Sequence, residues 1–407
     1  MTAKNIVICC DGTGNEIETD LSNVLKLYRI LNKNDKQVVF YDPGIGTIGT
    51  SNSWQVFSQK AKEVFCRATG AGLDGNVLDA YRFLIDAYEP GDRIFLFGFS
   101  RGAYTVRVLA GFLHLMGLLR PEQKNLSLYA LKAYKRAAQN GDLNIAWGFR
   151  QVTRAEDVPI RFVGVWDTVS SVLVPRWDLL IGIDQQTLPY TRTNPNVEVL
   201  RQAMSIDEKR RMFRINRWVE PQKYNPYPFS DSEDKAQDIK QVWFAGNHSD
   251  IGGGYAETES APAKFTLKWM LLEAAEHGLK YNKALFNHLV LGKERKGGKR
   301  SYVGPDIAKP KLHNSMTMGW AWIEFFPRQV KYRDWPKRKS LFGFYLPARE
   351  PRFIPEGALL HHSVQERLTQ DKTYKPINLP QDYQLVYDRD ETAPDTEEEE
   401  VEWKLAS

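Results

Sequence analysis

Arg93-Ile94-Phe95-Leu96-Phe97-Gly98-Phe99-Ser100-Arg101-Gly102-Ala103-Tyr104 is the stretch on which the fold turns. Its apolar run, Ile94 to Phe97, reads as a strand buried on both faces, as the centre of a parallel sheet requires. Gly98-x-Ser100-x-Gly102 follows at once, and a helical pattern then runs through Tyr104, Val108, Leu109 and Phe112. Strand, tight turn and helix put Ser100 at the apex of a nucleophile elbow, where glycines remove the Cβ atoms that a strained turn would bring into collision. A chain of this length has roughly a one-in-ten chance of containing G-x-S-x-G, so the flanking strand and helix carry the inference. The competing reading is a glycine-rich turn in which Ser100 merely caps the helix.

The alternation extends on both sides. Ile6-Val-Ile-Cys-Cys10 and Gln37-Val-Val-Phe-Tyr41 read as buried strands, joined by a helix capped by Ser22. A poorly patterned helix is expected over 54–67, and a clear one over 73–88. After the Ser100 helix come a helix over 126–140 and the strand Ile160-Arg-Phe-Val-Gly-Val-Trp166. A short helix near 197–204, a charged helix over 207–213, a strand over 238–245 and a helix over 263–277 follow. Such alternation predicts an α/β chain with a mostly parallel central sheet covered by helices on both faces. The expected divisions are a core over 1–280 with an insertion at 173–240, an irregular aromatic and basic cap over 281–367, and a C-terminal segment, 368–407.

A serine nucleophile needs a base, and the base needs a carboxylate that fixes its tautomer. In parallel sheets of this kind the partners come from later strand ends, in the order Ser, Asp or Glu, His. The strand 160–166 delivers Asp167, and the strand 238–245 delivers His248 in a glycine-rich loop. Of seven histidines, His248 alone directly follows an expected central strand; His361 and His362 are its rivals. Asp250 and Asp207 are the alternatives to Asp167. Asp11-Gly12-Thr13-Gly14-Asn15 follows the first strand at the same edge. Gly12 and Thr13 are candidate oxyanion donors beside the Arg101 amide, with Asp11 and Asn15 at the site edge, or the loop is an Asx-type turn. Neither glycine loop, 11–15 or 42–47, ends as a nucleotide-binding loop does.

Ile8-Cys-Cys-Asp-Gly-Thr-Gly-Asn15, Tyr41-Asp-Pro-Gly-Ile-Gly-Thr47, Gly98-Phe-Ser-Arg-Gly-Ala-Tyr104, Gly164-Val-Trp-Asp-Thr-Val169 and His248-Ser-Asp-Ile-Gly-Gly-Gly-Tyr255 occur in that order. Over residues 4–365 the chain resembles a bacterial α/β-hydrolase-like domain family of unknown function, which includes the catalytic domain of type VI secretion phospholipase effectors. The resemblance implies an α/β-hydrolase core, a Ser100–Asp167–His248 triad and phospholipase A activity on bacterial membrane lipids. The resulting expectation is a serine esterase acting on a lipid or phospholipid, with a soluble carboxylesterase or thioesterase, or a non-catalytic interaction protein, as alternatives.

Whole-chain properties set bounds. No apolar stretch reaches the roughly 18 residues of a membrane span, and no signal-type leader precedes Ile6, so a chain cytoplasmic as synthesised is expected, with any secretion non-classical. Cys9, Cys10 and Cys66 read as buried hydrophobes, and no Cys/His spacing suggests a metal. Neither a cofactor nor nucleic acid is expected. The net charge of +5 combines a basic body with an acidic tail, 391–407, read as disordered. Aromatic and Lys/Arg-rich residues 318–345 suggest peripheral contact with a membrane surface.

Overall fold

The computed structural model describes residues 3–12, 20–44, 71–140, 142–169, 173–176, 182–185, 188–210, 213–227, 235–295, 300–306, 312–316, 324–325, 327–330 and 333–389. The expected helix 54–67, Cys66, Thr13, Asn15, most of the aromatic run 320–326 and the acidic tail lie outside these residues.

Eight strands form one sheet: β1 (Asn5–Cys10), β2 (Gln37–Asp42), β3 (Arg93–Phe99), β4 (Ile160–Trp166), β5 (Val197–Ser205), β6 (Asp238–Phe244), β7 (Ala358–His361) and β8 (Tyr383–Val386). Their spatial order is β8-β7-β6-β5-β4-β3-β1-β2, and every neighbouring pair is parallel. The order reverses at β1, which lies between β2 and β3. The carboxyl ends of β1 and β3 therefore flank the crevice where open α/β sheets take ligands.

Successive residues of a strand face opposite ways, so two cores form. On one face Ile6, Ile8, Ile94 and Leu96 pack with α2 (Ala71–Ala87), α3 (Arg101–Met116), α4 (Ser127–Asn140) and α5 (Asn144–Thr153). On the other, Val7, Cys9, Phe95 and Phe97 pack with α1 (Asn23–Ile30), α7 (Ala261–Glu276) and α8 (Lys283–Leu289). The one-turn α6 (His248–Gly252) follows β6, and α9 (His362–Gln370) follows β7. Among the described residues no helix is long and apolar enough to cross a membrane. Burial pushes the thiols of Cys9 and Cys10 well above their ordinary pKa, in keeping with packing groups.

Two local expectations fail. The stretch near 197–204, expected as a helix, is the buried strand β5, so part of the expected insertion lies inside the sheet. Val197, Leu200 and Met204 do have helical spacing, but Arg201 and Gln202 are buried as well. Arg201 enters the core because Glu273 (2.5 Å) and Asp238 (2.7 Å) neutralise it there. The charged helix over 207–213 is likewise absent among the described residues. Asp207 instead accepts Gly246 N–H (2.7 Å), and Glu208 accepts His248 N–H (3.3 Å), so both carboxylates serve the neighbouring loop.

Close approach explains the elbow glycines. A Cβ on Gly102 would stand 2.1 Å from Cys10 O, and one on Gly98 2.5 Å from Gly102 O, backbone atoms in both cases. Gly102→Ala is expected to lower the melting temperature sharply or prevent folding. Gly148→Ala, in α5 with open space around it, is expected to be neutral or stabilising by up to about 1 kcal/mol. Thermal melts of the two variants check this.

Candidate active site

Ser100 stands between β3 and α3 at φ 56° and ψ −117°, a conformation L-residues seldom adopt. Its amide donates to Trp166 O at 3.1 Å, tying the elbow to the end of β4. The side chain makes no capping hydrogen bond to α3, which removes the helix-cap reading.

Asp167 follows β4, also at positive φ (39°), and its amide donates to Ala203 O at 2.8 Å. Its buried carboxylate receives four hydrogen bonds. Oδ1 accepts from Ser205 N (2.9 Å) and Arg352 Nη1 (2.6 Å); Oδ2 accepts from Arg352 Nη2 (2.9 Å) and faces His248 Nδ1 at 2.5 Å. Burial by itself would raise the carboxyl pKa. The Arg352 charge and the His248 and Arg352 hydrogen bonds reverse this and hold it well below the usual range. An ionised Asp167 can only accept, so the network puts the ring proton of neutral His248 on Nδ1 and leaves Nε2 a lone pair.

His248 opens α6 after β6. Its ring lies 4.7 Å from that of Phe99 and edge-on to that of Phe213 at 4.8 Å. Two devices shape its loop. Asn247 caps α6 by accepting from Ser249 N (2.9 Å) and Asp250 N (3.1 Å), while Asp250 accepts Asn247 N–H (3.0 Å). Gly252 lies against Phe99, where a Cβ would stand 1.9 Å from the ring. Ser100 and His248 thus reach one sheet edge with Phe99 between their elements. They are not hydrogen-bonded to each other, a contact that such sites often tighten only around substrate.

The remaining expected residues fall elsewhere. Asp250 pairs with His313 (2.7 Å), not with His248. Asp11 is buried and accepts from Ser22 Oγ, Tyr41 OH (2.9 Å) and Gly12 N (2.7 Å), so the Gly12 amide is already engaged. His361 and His362 converge on Asp388, with one donor atom of each within 4.8 Å of the others. Lys268 Nζ, 3.3 Å from Asp388 Oδ2, already supplies a cation there. His361 Nδ1 accepts Ser363 N–H, which directs Nε2–H to Asp388. This group lies four strand spacings from β3, about 19 Å, and forms a paired network of its own. Arg352 and Glu208 carried no local pattern in the sequence, and their functions are visible only in the fold.

Residues 4–273 match the model of the family described as "T6SS, Phospholipase effector Tle1-like, catalytic domain". The chain belongs to this family. Membership in the Tle1-like family supports a phospholipase-type hydrolase with a lipid substrate. An uncharacterized protein of Saccharomyces cerevisiae is 24% identical over 562 aligned positions, covering 93% of this chain and 81% of that one. An uncharacterized protein from Pseudomonas aeruginosa, known from its crystal structure, matches with a TM-score of 0.36 and 16% identity. That match covers 69% of this Tle1-like chain, which spans less than half (46%) of the other.

Removing one partner of a buried ion pair leaves the other charged and unmatched, at a cost of about 3–5 kcal/mol. Arg352→Met is therefore expected to destabilise the fold by that order in urea melts, with Arg352→Met/Asp167→Asn recovering part of the loss. The depressed Asp167 pKa adds stability that is complete above the unfolded-state value of about 3.9 and is lost as pH falls toward the folded-state value. Asp167→Asn should flatten the acid limb of a stability-against-pH curve.

Proposed function

We propose that this chain is a serine hydrolase of the α/β-hydrolase type that cleaves a carboxylic ester of a phospholipid. The observation that carries the reading is the ionised, fully hydrogen-bonded Asp167 on His248 Nδ1, at the sheet edge where the strained elbow presents Ser100. Ser100 Oγ attacks the acyl carbon as His248 Nε2 takes the hydroxyl proton. The oxyanion is placed at the start of α3, where the Arg101 N–H, at the first helical position, has no acceptor within the helix. Thr13, which follows Gly12 in the sequence, is the candidate for a second donor. Collapse breaks the ester C–O bond, and His248 returns the proton to the departing alcohol. Water, deprotonated by the same nitrogen, then frees the fatty acid and restores Ser100.

A phosphate-bearing substrate is favoured by Arg101. Among the described residues its Nη2 is buried without a hydrogen-bond partner, and burial lowers its pKa to about 10. A phosphodiester bound beside Ser100 would supply an acceptor and a charge.

The decisive experiment is fluorophosphonate labelling of wild type, Ser100→Ala and His248→Ala, followed by assays on phosphatidylethanolamine and phosphatidylglycerol vesicles. Labelling should vanish in Ser100→Ala and weaken strongly in His248→Ala, with fatty acid released by wild type. Labelling without lipid turnover would move the substrate to soluble esters or thioesters, and a folded protein that resists labelling would favour an interaction protein.

Arg101→Met offers a separate check. Loss of a charged hydrogen bond should lower kcat/KM on phospholipid by about 10- to 100-fold and leave a neutral p-nitrophenyl ester within about twofold.

A further inference from the structure

Residues 341–346, Leu-Phe-Gly-Phe-Tyr-Leu, form the outer arm of a small antiparallel hairpin. Phe344–Tyr345 pairs with Arg328–Gln329, while Leu341 and Phe344 exchange backbone hydrogen bonds at 2.8 and 2.9 Å. The two residues between them, Phe342 and Gly343, lie at φ 49° and 78°. That is the two-residue turn with positive φ at both positions, which normally carries Asn or Asp before Gly. A bulky aromatic in the first of those places is rare.

The side chains of this arm are on the wrong side for a core. Phe342 is 91% exposed, Leu341 71%, and Phe344 and Leu346 49% each, and nearby Phe325 is 64% exposed. Tyr345 alone points inward. A contiguous apolar patch of this kind marks an interaction surface. Its surroundings are basic: between residues 327 and 350 the sequence has Arg328, Lys331, Arg333, Lys337, Arg338, Lys339 and Arg349 against Asp334 and Glu350. Both acids are spoken for, since Arg214 pairs with Asp334 (2.5 Å) and with Glu350. Lys337 and Lys339 are exposed directly before the apolar tip.

The base of the hairpin is fixed to the candidate active site. Arg214 also reaches Tyr345 OH at 3.5 Å, and its neighbour Phe213 packs on the His248 ring. Arg352, two residues beyond Glu350, holds Asp167 and the Phe213 carbonyl (2.6 Å).

We propose that the 341–346 hairpin is an interfacial anchor that inserts Leu341, Phe342 and Phe344 into a bilayer containing anionic lipid, with Lys337 and Lys339 at headgroup depth. A bilayer fits both halves of the surface: apolar side chains enter the acyl boundary while adjacent cations meet anionic headgroups. The inference deepens the proposed function, because ion pairs join the anchor to the edge at which a lipid ester would be cleaved.

Vesicle flotation tests binding apart from catalysis. The full chain carrying Ser100→Ala should float with phosphatidylglycerol/phosphatidylcholine vesicles at low salt and remain largely behind with phosphatidylcholine alone. Adding Phe342→Asp should weaken flotation by about tenfold or more, and Lys337→Glu/Lys339→Glu should weaken it in a salt-dependent way. In otherwise wild-type protein, Phe342→Asp should leave turnover of a soluble short-chain ester unchanged. Phe342→Trp fluorescence should be quenched by brominated lipid and shielded from acrylamide. No flotation of Ser100→Ala at low salt, or flotation indifferent to Phe342→Asp, overturns the anchor, whatever the enzymatic result. Flotation that depends on Phe342, in a wild-type protein that hydrolyses no lipid, upholds the anchor and removes the phospholipase reading.

Discussion

A negative charge held in a dry interior is the constraint on which the arrangement depends. Asp167 is fully buried, and an ionised carboxylate there is costly unless donors replace the water it has lost. The fold supplies four donors from three residues: the Ser205 amide at the end of β5, both arms of the Arg352 guanidinium, and the His248 ring. Arg352 needs anchoring in turn. Nη1 also donates to Ser205 O (3.1 Å) and Nη2 to Phe213 O, while Asn378 holds the Arg352 carbonyl at 3.0 Å. The orientation of one imidazole thus reaches outward to residues 205, 213, 352 and 378.

Local features are legible in the sequence because their causes are local. The β3–Ser100–α3 unit combines an apolar strand, two glycines at a steric collision and a helix buried along nearly its whole length within about two dozen residues. Strand ends bearing Asp167 and His248 were legible for the same reason, as residues that directly follow buried runs. Asp250 was harder. It lies two residues from His248, but a capping box turns it towards the Asn247 amide and His313.

What escaped was decided by distant partners. Val197–Ser205 has apolar residues at helical spacing, and only Glu273 and Asp238 make it possible for Arg201 to lie within a sheet. Strand β7 has four residues, too few for a period to show, and is recognisable through its pairing with β6 and β8. Arg352 sits in an irregular stretch between prolines, where nothing nearby marks it as the counter-ion of a residue 185 positions earlier. Composition could mark the 318–345 region as aromatic and basic, but not which aromatics face outward.

That separation of 185 positions has a consequence in time. Synthesis at about 5–20 residues per second puts the making of Asp167 roughly 10–40 seconds ahead of the making of Arg352. During that interval β1 to β4 can pair and cover their apolar faces, while the carboxylate lacks the guanidinium that gives two of its four hydrogen bonds. The nascent chain can therefore hold a well-formed elbow long before Asp167 can settle beneath His248. Completion of the site waits for the arginine to leave the ribosome.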